Sequence, residues 1–391
     1  MKRNDASGSG RFRSKARTLM IPAAVAVALL TVAGIGSSAS AGAGRTHGVY
    51  AMTNAAGENE VVAYRRAANG RLAPIGSFGT GGEGTGRARL SSQNPVILNE
   101  RSTRLYVVNV KSDEITVFDV HRDATLSRLQ VIASGGEAPY SLALSPDGDR
   151  LHVLNNGLRG AGNITGFAVA PDGQLSPIAD GTRPLSGEGT DPAQVSYTPD
   201  GRRLVVTEKA TNTILTYEVD DAGLVSGPTV HDSAGDTPFG FAFTRDGVAV
   251  VTEAFDEVPG EAAASSYSLN GPAALETISG SVPNGQAEVC WAVITPTDRF
   301  AYVTNFGNGT ISTYLIAADG RLRVHDPVSA VTTLAELSVR DLDLTGDGRF
   351  MYAIDINSRR VHAWRVRENG LLVDIGAFAG LPKTVAGMAA S

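Results

Sequence analysis

Three carboxylates, Glu208, Glu253 and Asp355, and four asparagines, Asn54, Asn109, Asn155 and Asn305, each close the same kind of short apolar run. The runs are Tyr50 to Asn54, Leu105 to Asn109, Leu151 to Asn155, Leu204 to Glu208, Ala249 to Glu253, Ala301 to Asn305 and Met351 to Asp355, about 45–55 residues apart. If the runs are equivalent strands of a ring, these polar side chains gather around one axis. Carboxylates brought together raise at least one pKa unless a cation offsets them. Such a group can take a proton from water, and hydrolysis of a cyclic ester would use Glu208 as base with Arg340 or Lys209 polarising the carbonyl. The same oxygens suit a divalent cation, Ca²⁺ or Mg²⁺. A third reading is structural, with the polar groups capping strand ends and holding ordered water.

Positioning such a ring falls to a small repeated unit, plainest in its third copy. Tyr140-Ser141-Leu142-Ala143-Leu144 alternates as a strand, Ser145-Pro146-Asp147-Gly148 turns it, and Leu151 to Asn155 returns. Ile164 to Val169 reads as a third strand, and Pro171-Asp172-Gly173 turns into a fourth near Leu175-Ser176-Pro177. Four strands per unit and seven units predict an all-β, seven-bladed β-propeller. Turns of the same chemistry recur at Pro199-Asp200-Gly201, Arg245-Asp246-Gly247 and Gly346-Asp347-Gly348, where Asp and Gly answer backbone demands rather than a ligand. The first unit starts at His47-Gly48-Val49-Tyr50 as if at its second strand, while Thr384 to Ala390 has the pattern of the missing first one. An unclosed ring exposes an unpaired edge, so the C-terminal segment is predicted to complete blade one. Second-strand ends and first-strand starts share a face, which adds Gln194, Glu288, Arg340 and Asp341 to the polar set at one channel mouth.

Residues 1–41 read as an export signal: basic up to Arg17, apolar from Leu19 to Ile35, then Ala39-Ser40-Ala41 before a cleavage expected ahead of Gly42. An uncleaved anchor is the alternative, and the chain's one expected route to a membrane. Residues 42–391 are then one propeller domain, expected to be secreted and monomeric. Losing the leader removes six positive charges and one negative, taking the formal net charge from −6 to −11. So acidic a chain excludes nucleic acid as a partner held by charge. The lone Cys290, in Val289-Cys290-Trp291-Ala292-Val293, reads as a buried thiol. The six histidines make no pair at metal-ligand spacing, and no serine has evident His and acid partners. Gly76 to Gly86 lacks the lysine and helix of a phosphate loop and reads as a loop over one face, and Asp256 to Glu261 replaces a tight turn in blade five. No cofactor is expected beyond the divalent cation that the ring could suit.

The stretches Ala138-Pro139-Tyr140-Ser141-Leu142-Ala143-Leu144-Ser145-Pro146-Asp147-Gly148 and Thr207-Glu208-Lys209-Ala210-Thr211-Asn212-Thr213-Ile214 resemble the seven-bladed propeller lactonase family. That family includes bacterial 6-phosphogluconolactonase and fungal carboxymuconate cyclase. The segment from Thr80 through Ser91-Ser92-Gln93 to Phe118 is similar to its secreted members. Tyr302-Val303-Thr304-Asn305 also resembles the repeat of surface-layer propellers, so the repeat alone does not imply an enzyme. The resemblance implies lactone hydrolysis at the channel mouth, with Glu208 as base, Arg340, Glu253 and Asp355 orienting or charging the site, and Asn54, Asn109, Asn155, Gln194, Asn305 and Asp341 free to bind ligand. Pro192, Glu208 and Arg340 match the family pattern. Ala193 and Gln194 stand where the family has Arg and His, its blade-three His is replaced around Tyr140-Ser141, and its blade-six Arg is missing near Ala287-Glu288. A phosphorylated sugar lactone would find little here to hold its dianion. The alternative outside enzymology is a propeller that binds a cell-envelope ligand or a protein partner through the Gly-rich and blade-five loops.

Overall fold

The computed structural model of the chain describes residues 47–158, 160–269, 275–334 and 337–391. The expected export signal, residues 1–41, lies outside the described residues. Seven antiparallel sheets of four strands form the blades of a propeller, as the repeats predict. Blade three comprises Pro139–Leu144, Arg150–Asn155, Ala161–Val169 and Leu175–Glu188 in meander order. Both faces of a blade pack against neighbouring blades, so an inner strand need not alternate apolar and polar. Phe300–Asn305 and Phe350–Asp355 are accordingly buried at every position.

Ring closure follows the expectation. Met388–Ala390 pairs antiparallel with His47–Met52, with Tyr50 opposite Ala389, and so supplies the innermost strand of blade one. The backbone ladder continues on both sides, from Ala386 N to Met52 O at 2.9 Å and from Ser391 N to Gly48 O at 2.9 Å. The closing strand is also clasped by blade seven, where Asp341 accepts from Gly387 N at 3.0 Å and Asp343 from Ala390 N at 2.8 Å.

Adjacent blades are latched at the turn end by second-strand tyrosines. Tyr302 donates to Gly370 O and Tyr352 to Gly70 O, each at 2.9 Å, reaching the outer turn of the next blade. Gly370 has φ +83°, and a Cβ there would lie 2.7 Å from the Phe300 ring, so both backbone and space require glycine. The Gly-rich stretch departs from its reading as a loop: Gly76 to Glu83 belongs to the last strand of blade one, Leu72–Glu83. Its glycines make room for neighbours, because a Cβ at Gly79 would strike the Glu58 carboxylate and one at Gly82 the Asn109 amide.

Candidate functional site

The seven strand-end side chains do not converge on the axis. All are fully buried, and most point between blades. Glu208 accepts from the backbone and hydroxyl of Ser186, on the last strand of blade three, and from Thr211 and Thr213 of its own blade at 3.1 and 2.9 Å. Glu253 accepts from Gly235 N at 3.0 Å, Ser281 at 2.8 Å and Ser265. Asp355 takes Thr333 Oγ1 at 2.8 Å and the Asn357 and Ser358 amides. Asn305 accepts from Asn284 and donates to Thr310 and Ser312, Asn155 bonds Ser134 O and Asn163, and Asn109 meets Asn59 and Thr116. Asn54 instead pins the exit of blade one through Thr85 and Arg87. Gln194 is also committed, clasping both backbone groups of Phe241 at 2.7 and 3.0 Å, as Asp341 is to Gly387. Of the expected site residues, Arg340 is left with two buried donors unused, and Asn155 with its side-chain oxygen unused.

A different position in the repeat reaches open space, through Tyr140, Phe239 and Cys290. Where each first strand begins, the ladder slips by a residue, and the extra residue is Tyr140 in blade three, Ala193 in blade four and Cys290 in blade six. In blades five and seven the slip spans Phe239 with Gly240 and Arg340 with Asp341. A bulge turns its side chain out of the pleat. In four blades the residue before that strand is held at positive φ: Ala138, Asp191, Thr237 and Glu288. A non-glycine residue there costs on the order of 1 kcal/mol or more, and such strain gathers at functional sites.

The chain between blades one and two runs across the channel. Gln93 binds Ala193 O of blade four through its backbone and both backbone groups of Ala292 in blade six through its side chain, while Asn94 O accepts from Leu142 N of blade three. Lys209 donates to Ser91 O at 2.8 Å and Trp291 to Ser92 O at 2.8 Å. Contacts to three blades at once require a segment that crosses the axis. Above it lies a cavity of about 420 Å³ lined by Arg89, Ser91, Lys209, Phe239, Glu288 and Cys290 among others.

The sequence pattern of the family described as "Lactonase, 7-bladed beta-propeller" matches residues 47–184, 163–258 and 194–386. The chain belongs to this lactonase family. Among solved structures, the Pseudomonas aeruginosa periplasmic gluconolactonase is similar with a TM-score of 0.68 at 18% identity, covering 87% of this chain and 98% of that one. A Lactobacillus plantarum protein gives 0.67 at 19% identity, covering 88% and 99%. Kuenenia stuttgartiensis hydrazine synthase gives 0.57 at 19%, covering 81% and 94%, so the propeller itself does not dictate a chemistry.

In this lactonase-family propeller the cavity is electrostatically uneven. Arg89 bridges Glu257 of the blade-five loop and Glu288, which it meets at 3.2 Å. Burial, reinforced by the neighbouring Glu257 charge and opposed by Arg89, pushes the Glu288 carboxyl up to about 7. Lys209 lies 4.9 Å over the Phe239 ring, and its donors go to Ser91 O, Pro192 O and Asp191. Arg340 lies 4.8 Å over Phe306, and its Nε and Nη1 are buried with no hydrogen-bond partner. Burial holds its pKa down, to about 10, while Asp341, Cys290 and Glu288 oppose the fall, so it stays a cation at neutral pH. An unpaired buried donor costs about 1–3 kcal/mol, more for a charged group. That cost is recovered when an acceptor arrives. Burial raises the Cys290 thiol well above its ordinary value, which removes it as a nucleophile at neutral pH. Among the described residues no cluster of three or more His, Cys, Asp or Glu is placed to hold a metal.

The strand ends stand out in the sequence because their polar type recurs. Pleat parity argued otherwise, since Glu208 faces between blades while the next residue, Lys209, lines the cavity. A usable signal lay in the repeated strand openings Ala138-Pro139-Tyr140, Asp191-Pro192-Ala193, Thr237-Pro238-Phe239, Glu288-Val289-Cys290 and Ser338-Val339-Arg340.

Proposed function

We propose that the protein hydrolyses a lactone or other cyclic ester lacking phosphate, in the cavity at the channel mouth. Glu288 serves as general base and Arg340 as donor to the developing oxyanion. Glu288 carries the reading: a carboxyl in the cavity wall whose proton affinity sits near neutrality, within electrostatic reach of Arg340, a buried guanidinium outside the cavity lining that has unused N–H groups. A base is most effective when its pKa is close to the working pH. Glu288 takes a proton from water, the hydroxide adds to the ester carbonyl, and the charge that develops on oxygen is met by Arg340. The ring C–O bond then breaks, and the departing alkoxide recovers the proton from Glu288 to leave an open hydroxy acid. The route draws on no metal or organic cofactor.

Charge balance favours a substrate without phosphate. Arg89 and Lys209 in the cavity wall are outnumbered by Asp191, Asp256, Glu257 and Glu288, so a dianion meets no net positive field. The basic and apolar leader supports export, with residues 42–391 acting outside the cytoplasm as a monomer. The test is turnover of sugar and aliphatic lactones by residues 42–391, with Glu288→Gln and Glu208→Gln alongside. Turnover lost in Glu288→Gln and kept in Glu208→Gln is expected. Activity that follows Glu208 would overturn the base assignment, and silence across the panel would give the protein to the alternative of a propeller binding an envelope ligand.

A further inference from the structure

A second cavity, of about 280 Å³, opens on the blade-two and blade-three side of the propeller. Arg89 lines both this cavity and the first, so one side chain is their shared wall. Tyr140 contributes an aromatic ring, and it occupies the bulge position that Phe239 and Cys290 occupy in the first cavity. The same backbone device that aims side chains at the proposed reaction site therefore aims Tyr140 into a neighbouring space.

The rest of the lining defines what could sit there. Arg87, Arg89 and Lys111 face Asp113 and Glu137, a nearly balanced set. Lys111 is paired with Glu83 at 2.6 Å, and Asp113 accepts from Ala138 N at 2.7 Å. Neither an anion nor a cation finds a strong field in such a set, whereas a ring of hydroxyls finds donors and acceptors on every side. An aromatic face beside those polar groups suits the C–H face of a sugar ring, which is apolar on its flat and polar at its edge.

We propose that the second cavity is a subsite for a glycosyl substituent, so that the preferred substrate is a lactone of a disaccharide acid, with the lactone ring beside Glu288 and the second sugar on Tyr140. Arg89 then lies at the junction of the two rings. The proposal names the substrate class for the hydrolysis argued above and rests on that reading, but it can be tested apart from turnover.

The decisive experiment is calorimetric binding of the neutral sugars glucose and cellobiose, which carry no ester to hydrolyse, to residues 42–391 and to Tyr140→Ala. Cellobiose is expected to bind at least tenfold more tightly than glucose, with the ratio in Tyr140→Ala falling to within about twofold of unity. Equal affinities in the unmodified protein, no binding of either sugar, or a preference that survives Tyr140→Ala would each overturn the subsite. The comparison in the unmodified protein decides the matter even if the variant fails to fold. Absence of turnover on cellobionolactone and gluconolactone with the binding preference intact would instead sink the hydrolytic reading and leave the subsite standing.

Discussion

Glu208 and Glu288 are the same side chain in adjacent regions of one molecule, and their surroundings make them opposites. Glu208 is fully buried, and both its oxygens are occupied by Ser186, Thr211 and Thr213. Glu288 is nearly as buried, yet it lines a cavity, shares Arg89 with Glu257 and takes up a proton near neutrality. Burial by itself does not make a carboxylate functional. A buried acid whose lone pairs are filled is cement, whereas one left partly unfilled beside open space can exchange a proton.

The largest effect should come from Glu288→Gln. Loss of a general base costs about 10²–10⁴-fold in turnover, and the melting temperature should hold, because no backbone group depends on this carboxylate. Arg340→Met comes next. Removing a donor to an oxyanion costs about 10²–10³-fold in kcat, and the fold should be unharmed or firmer, since a buried cation without a hydrogen-bond partner gives way to apolar contact. A gain in activity on removing Arg340 would break the pairing with Glu288. Glu208→Ala should show the reverse pattern: about 2–3 kcal/mol of stability lost in a denaturant melt, because an amide and three hydroxyls lose their acceptor. Full stability in that variant would show that the latch carries no weight.

The fold was legible in the sequence because its cause is periodic. Seven apolar runs, their turns and the unpaired first blade follow from strand alternation and the avoidance of open edges, and closure by Met388–Ala390 was predictable from those rules alone. The candidate site was legible only in part: where the first strands start put Glu288 and Arg340 at the channel mouth, whereas Glu208, Glu253 and Asp355 turn into interblade seams, because side-chain direction depends on parity and on bulges. Glu253 and Asp355 recur as polar strand ends for the same reason that Glu208 does, which is to fill an interblade seam. Tyr140, Phe239 and Cys290 reach the two cavities where the ladder slips, and such a slip leaves no mark in composition. The channel-crossing segment was hidden similarly, since Ser91-Ser92-Gln93 looks like any polar loop until Trp291 and Ala292 are seen to bind it.

The open and the sealed acids should also titrate into different observables. For Glu288, kcat/KM should rise with pH through about 7 and then level, because only the carboxylate can accept the proton. A rate that fell over that interval would make Glu288 the acid rather than the base. Asp341 is sealed against the closing strand, and burial pushes it up to about 7, with the Gly387 amide opposing the rise. Its folded pKa lies above its unfolded one, so the native state holds the proton more tightly between roughly pH 4 and 7. Stability is then greatest below that window and falls as pH rises through it, by on the order of 2 kcal/mol between pH 5 and 7. Asp341→Asn keeps an acceptor for Gly387 N and cannot ionise, so its melting temperature should vary less over the same interval while the pH–rate profile of Glu288 persists. If that substitution flattened the rate profile and left the melting curve as steep as before, the division between sealed and open acids would be drawn in the wrong place.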